Sequence, residues 1–154
     1  MKKFLLSISC ILFLTNCQTQ EEIKKQQEKE EIEKITEELN REELSEESKK
    51  WLIDTKTKKV TTVLCMSSSK KCKELEKHLY NIKNEYDITL YYYNIDNLDK
   101  NTLNILKNTY ELKDYTGYTP YVFIVEKERL LDTKIDITND NINNYLKEKD
   151  IISK

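Results

Sequence analysis

Glycine, proline and alanine are nearly missing from this chain of 154 residues, which holds one Gly, one Pro and no Ala. Average usage of about 7% Gly and about 5% Pro would give roughly eleven and roughly eight. Arginine is scarce as well, two residues against 24 lysines, while Asn, Ile, Lys and Tyr are abundant, which is the codon bias of a genome poor in G and C. The scarcity excludes whole classes of chemistry. Glycine lets a backbone approach a phosphate or take positive φ without penalty, so neither a G-x-G-x-x-G fingerprint nor a P-loop can be written with one Gly. A G-x-S-x-G nucleophile elbow fails too. One histidine, His78, leaves no His-rich metal site. Nothing in the sequence implies a cofactor or a bound metal. What remains is notable for its position: Gly117 and Pro120 share the segment Gly117-Tyr118-Thr119-Pro120, directly before the most apolar strand-like run in the chain.

The N-terminus reads as a targeting segment. Lys2 and Lys3 precede an apolar run from Phe4 to Leu14, the charged and apolar regions of a secretory signal. As a helix that run reaches only about 17 Å against a bilayer core of about 30 Å. Leu14-Thr15-Asn16-Cys17 resembles the lipobox of bacterial lipoproteins, with Asn16 in place of the usual small residue. The resemblance implies a signal peptide over 1–16, lipid on Cys17, and a protein held on the membrane in the cell envelope, outside the cytoplasm. Cys10 then leaves with the signal, and Cys65 and Cys72 are the thiols of the folded part. In an oxidising compartment such a pair can form a disulfide.

Residues 17–50 form a charged tether. From Glu21 to Lys50 there are twelve Glu against seven Lys or Arg, with no Gly or Pro. Ile32, Ile35 and Leu39 keep helical spacing, so the segment reads as a solvated, partly helical stalk whose end packs on the domain. No heptad persists long enough for a coiled coil. Fully helical, it would reach about 50 Å. Residues 51–154 carry 17 bases against 16 acids, the size of one domain with its own core. Lys70, Lys71 and Lys73 make a local patch but no basic stripe, so nucleic acid is not an expected partner.

Within that domain the elements follow in a clear order. Val60 to Met66 is β-rich, and Ser67-Ser68-Ser69 offers cap hydroxyls to a helix with Cys72, Leu75, Leu79 and Ile82 on one stripe. Ile88 to Ile95 is a second strand, and Leu103, Leu106 and Tyr110 mark a second helix. Tyr121 to Val125 is unbroken apolar, as expected of a strand covered on both faces. A charged turn, Glu126 to Arg129, leads to a hairpin partner over Leu130 to Ile137. Thr138 and Asn139 then precede a last helix carrying Ile142, Tyr145 and Leu146.

This β-α-β-α-β-β-α order, an α/β arrangement with a Pro heading a buried strand, resembles the thioredoxin-like fold. Asn94-Ile95-Asp96 is similar to the N-I-D that often ends the second strand in that family, and Thr119-Pro120 to its Thr–cis-Pro, which lies beside the active-site helix. The resemblance implies a central mixed sheet flanked by helices and a C-x-x-C at the start of the first helix, where the dipole and exposure lower the first thiol's pKa. Matching Cys72-Lys73 to the second Cys and its following Lys places Ser69 at the nucleophile. Serine without a base cannot replace a thiolate in disulfide exchange, and the acid that often assists the resolving Cys falls at Val63. The site is a degenerate Ser69-x-x-Cys72. Three arrangements of the thiols stay open: a structural Cys65–Cys72 disulfide, a nonstandard redox pair of the same residues, or two free core thiols. A shifted frame, Cys65-Met66-Ser67-Ser68, would be a monothiol variant.

Tyr115, Tyr118 and Tyr121 surround the loop and offer either a peptide-binding surface, with Tyr118, Thr119 and Pro120 at its centre, or ordinary packing. His78 lies about 240° around the helix from Cys72, which argues against a Cys-His dyad and for a surface position. Two functions follow. One is a membrane-anchored lipoprotein related to thiol-disulfide oxidoreductases, with Cys65, Ser69 and Cys72 at a degenerate site. The other is a noncatalytic module that holds a peptide or a thiol-containing protein, similar in size, anchoring and fold to accessory proteins of bacteriocin export and maturation.

Overall fold

A computed structural model describes residues 19–40, 44–98, 100–112, 115 and 117–153. The segment expected to be a signal, and the expected lipid site Cys17, lie outside the described residues. Among those described, no helix is long and apolar enough to cross a membrane.

The segment expected to be a tether contains one long helix, α1 (Gln20–Leu39). Thr19 starts it with a capping box: the Glu22 N–H donates to the Thr19 hydroxyl and the Thr19 N–H to the Glu22 carboxylate. Its length follows from strong helix formers without a Gly or Pro, and most of it faces solvent. Only its last turns pack: Ile35 is buried, and Leu39 joins Leu44 against the domain.

The next helix, α2 (Glu46–Thr57), crosses the expected boundary between residues 50 and 51 and precedes the first strand. It was not foreseen because its buried face is written half in hydroxyls. Ser48, Trp51, Leu52 and Thr55 recur at helical spacing and are all buried, but only the middle two are apolar. The Thr55 hydroxyl satisfies itself on the Leu52 carbonyl at 2.8 Å, and Ser48 accepts from Thr102 at 2.9 Å. Trp51, fully buried, donates its indole N–H to the Thr62 hydroxyl at 2.8 Å and meets Tyr93, Tyr110 and Phe123 edge-on.

Then come β1 (Lys59–Cys65), α3 (Lys70–Glu85), β2 (Leu90–Asn94), α4 (Lys100–Thr109), β3 (Tyr121–Glu126), β4 (Arg129–Ile135) and α5 (Asn139–Glu148). The sheet order is β2-β1-β3-β4, with β1 and β2 parallel and the other pairs antiparallel. β1 and β3 are central, which is why their apolar runs do not alternate with polar residues. Period-two geometry sends Val63, Cys65, Val122 and Ile124 to one face, covered by α3 and α5. Val60, Leu64, Phe123 and Val125 go to the other, covered by α2 and α4. The end of β1 and the start of α3 therefore lie near one another at the C-terminal edge of the parallel pair.

Candidate functional site

β1 ends at Cys65, and four residues separate it from the start of α3 at Lys70. The turn between them is closed by the Ser69 N–H on the Met66 carbonyl at 3.1 Å. Ser69 is the N-cap: its extended backbone turns the hydroxyl onto the Cys72 N–H at 3.3 Å. Because Cys72 lies on the apolar stripe with Leu75, Leu79 and Ile82, its sulfur points into the core rather than out of the helix start. There it forms a disulfide with Cys65, with Cα atoms 5.5 Å apart, inside the range such a bond spans. Both cysteines are 0% exposed.

The Asn94-Ile95-Asp96 segment holds this turn from the side. The Ile95 N–H donates to the Cys65 carbonyl at 2.8 Å. The Asp96 carboxylate accepts from the Ser67 N–H at 2.8 Å and from the Ser67 hydroxyl, and these bonds hold its pKa below the usual carboxylate range. On the other side, β3 pairs with β1 through Leu64 and Tyr121. One further step along that register sets Pro120 level with Cys65. The Thr119–Pro120 bond is cis, and Gly117 has φ of +90°.

No family model and no curated relative matches this sequence. Solved structures match it in fold. The reduced thioredoxin pre-protein of Schistosoma mansoni superposes with a TM-score of 0.52 at 13% identity, over 71% of this chain and 93% of that one. Thioredoxin from Schistosoma mansoni gives 0.51 at 12%, over 68% and 89%. Oxidised thioredoxin from Plasmodium falciparum gives 0.50 at 12%, over 66% and 88%. The fold is thioredoxin-like.

Within this thioredoxin-like domain the predicted residues fall into two groups. Cys65, Ser69, Cys72 and Pro120 lie around one end of the β1–β3 pair. The pairing of Cys65 with Cys72 replaces the alternative of two free thiols. It also argues against the shifted frame, since Cys65 is the last residue of β1, fully buried and bonded to Cys72. Val63, at the position of the missing acid, is an ordinary core residue.

The three tyrosines do not form one surface. Tyr118 is 74% exposed, whereas Tyr121 is buried and carries Tyr115 against it at 5.1 Å between ring centroids. The difference is position: Tyr118 lies in the loop, whereas Tyr121 is the first residue of central β3 and points into the second-face core. His78 is half-buried rather than a free surface group, its Nε2 lying 3.1 Å from the Asn143 Oδ1 of α5. The lysines of the α3 start are solvated. Lys70 faces Glu74 at 3.7 Å and Lys71 faces Asp136 at 3.8 Å, both long exposed pairs.

Sequence reasoning missed a cleft of about 580 Å³ beside β2, with Glu47 of α2, Ser67, Lys73 and Glu76 of α3, and Tyr92 and Asn94 in its lining. The Tyr91-Tyr92-Tyr93 run marked the strand, but no local signal says which strand of a sheet is an edge.

Proposed function

We propose that this is a lipid-anchored, extracytoplasmic protein whose thioredoxin-like domain descends from thiol-disulfide oxidoreductases, no longer turns over disulfides, and holds a peptide at its cis-proline loop. The observation that carries the reading is the burial of both sulfurs in one bond. Disulfide exchange needs a thiolate to reach one sulfur of the bond, and access sets the rate as much as nucleophilicity does. At 0% exposure neither Cys65 nor Cys72 offers that approach, and the position that would carry the exposed nucleophile is the capping Ser69. The loop next to it keeps an exposed aromatic, Tyr118, ahead of a buried Pro120. An exposed ring with a polar tip suits peptide contact.

The test is mass spectrometry of the full chain equilibrated with a graded glutathione couple, with thiols trapped before unfolding. The expected result is an intact Cys65–Cys72 bond at every poise under native conditions. Equilibration of the bond with the couple in the folded protein overturns the noncatalytic reading in favour of a redox pair. Anchoring is tested separately: Cys17→Ala should release the protein from membranes, and unchanged retention counts against the lipid.

A further inference from the structure

Among the described residues β2 is an edge strand, with β1 alone beside it. The Thr61 N–H donates to the Thr89 carbonyl at 3.0 Å, and the Ile95 N–H to the Cys65 carbonyl at 2.8 Å. Residues 89 and 95 therefore face β1, and by strand parity so do Tyr91 and Tyr93. The N–H and C=O of Tyr92 and the N–H of Asn94 face outward, where they take no partner among the described residues. An unpaired row of this kind is a template for another strand.

The edge is not flat. The cleft of about 580 Å³ runs beside it, with Lys73 and Glu76 of α3 on one side and Glu47 of α2 on the other. Since α3 and α2 cover opposite faces of the sheet, the two carboxylates flank the edge from opposite faces. Their influence on the strand is visible: burial first and then Glu76 push the Tyr92 hydroxyl up, and burial first and then Glu47 push up that of Tyr93. Glu46 and Glu47 in the first turn of α2 also offset the positive end of that helix.

We propose that this edge binds an extended peptide segment carrying two adjacent basic residues, added to the sheet as a further strand. Successive side chains of a strand point to opposite faces. One basic residue thus meets Glu76 on the α3 face and its neighbour meets Glu47 on the α2 face, while the backbone pairs with Tyr92 and Asn94. Lys73, beside Glu76, weakens the first contact without cancelling it. A second copy of this chain is a poor occupant, because edge-to-edge pairing would bring two sets of Glu47 and Glu76 together. This site is separate from the loop at Pro120 and does not depend on the thiol chemistry.

The experiment is an NMR titration of the full chain in neutral detergent micelles with an acetylated Val-Lys-Lys-Val-Thr amide. Controls are the Val-Glu-Glu-Val-Thr analogue and a Lys-Lys peptide N-methylated on the edge-facing nitrogens. The Tyr92 and Asn94 amides should shift and exchange more slowly with the first peptide only. Glu47→Gln with Glu76→Gln, both at exposed positions, should weaken binding by roughly three- to tenfold, the scale of two exposed ion pairs, and Lys73→Gln should strengthen it. Equal binding of the acidic or N-methylated peptide, or a concentration-dependent dimer through β2, overturns the proposal. Shifts confined to Gly117 and Tyr118 also overturn it, while leaving the loop reading intact.

Discussion

Reducing the Cys65–Cys72 bond in the folded protein tests whether it is a strut or a reactive centre. The cysteines are seven residues apart in sequence, so the bond closes a loop of about eight residues, and the chain-entropy relation gives about 2.5 kcal/mol for constraining the unfolded state. Replacing both by Ala adds the loss of two buried sulfurs packed among Val63, Leu75 and Val122, about 1 kcal/mol each if sulfur counts as one methyl-sized group. The reduced protein should therefore lose about 2.5 kcal/mol and the Cys65→Ala/Cys72→Ala variant about 4–5 kcal/mol, against a usual total of about 5–15 kcal/mol. With an ordinary urea dependence the midpoint of the reduced chain falls by about 1–2 M. Far-UV circular dichroism with and without a phosphine reductant reads this, with the thiol count checked by mass spectrometry. The kinetics add a second arm: attack on a buried bond must wait for an opening, so the rate of reduction by glutathione should climb steeply with urea. Superimposable unfolding curves, or a reduction rate independent of urea and equal to that of an exposed peptide disulfide, would refute the reasoning.

Trp51→Phe should cost about 1–3 kcal/mol because it deprives the buried Thr62 hydroxyl of its indole donor, and Trp51→Ala about 3–5 kcal/mol; circular dichroism is the readout, since no other Trp reports. Burial alone pushes the Asp54 carboxyl up, but bonds from Tyr91, Lys50 and Lys58 outweigh it and leave the pKa below the usual value. A folded pKa below the unfolded one means stability present above about pH 4 and lost as pH falls through the folded value, so Asp54→Asn should flatten the acid limb of a stability profile below about pH 4. An unchanged slope would remove Asp54 from that role. Asp150 ends α5 with φ of +52°, its N–H on the Lys147 carbonyl and that of Ile151 on the Leu146 carbonyl, the Schellman arrangement that favours Gly. Asp150→Gly should stabilise by about 0.5–1 kcal/mol and Gly117→Ala should destabilise by about 1–2 kcal/mol, both read by urea unfolding, and the opposite sign in either case would discard the backbone argument.

Much of the domain was legible because its signals are local and strong. The stripe of Cys72, Leu75, Leu79 and Ile82 gave α3, the unbroken run from Tyr121 to Val125 gave a central strand, and Ser69 was recognisable as a cap. The element α2 was hidden because Ser48 and Thr55 occupy half of its buried face, and hydroxyls do not register as hydrophobic periodicity. The partner of Cys72 could not be chosen from spacing, because it depends on the turn from Met66 to Ser69 bringing the strand end back over the helix start. The open edge of β2, and with it the cleft between Glu47 and Glu76, is a property of strand order, which depends on contacts remote in sequence.

The scarcity of glycine leaves a mark on the backbone itself. Among the described residues five charged ones take positive φ: Glu111 at 45°, Lys127 at 48°, Glu128 at 65°, Asp136 at 56° and Asp150 at 52°. The hairpin from β3 to β4 turns through Lys127 and Glu128, both left-handed, where Asn-Gly is the usual pair. All five values lie in or near the left-handed helical region, which an L-residue can occupy at about 1–2 kcal/mol. Gly117, at +90°, lies outside it. A Cβ placed there would meet nothing within 4 Å, so space is not the constraint and the dihedral is. The chain thus tolerates charged residues where the strain is small and has its one glycine where φ departs furthest from what they can adopt. That position is the loop leading into the cis Thr119–Pro120 bond, next to the Cys65 end of β1, so the backbone feature hardest to build with other residues is also the one that shapes the candidate site.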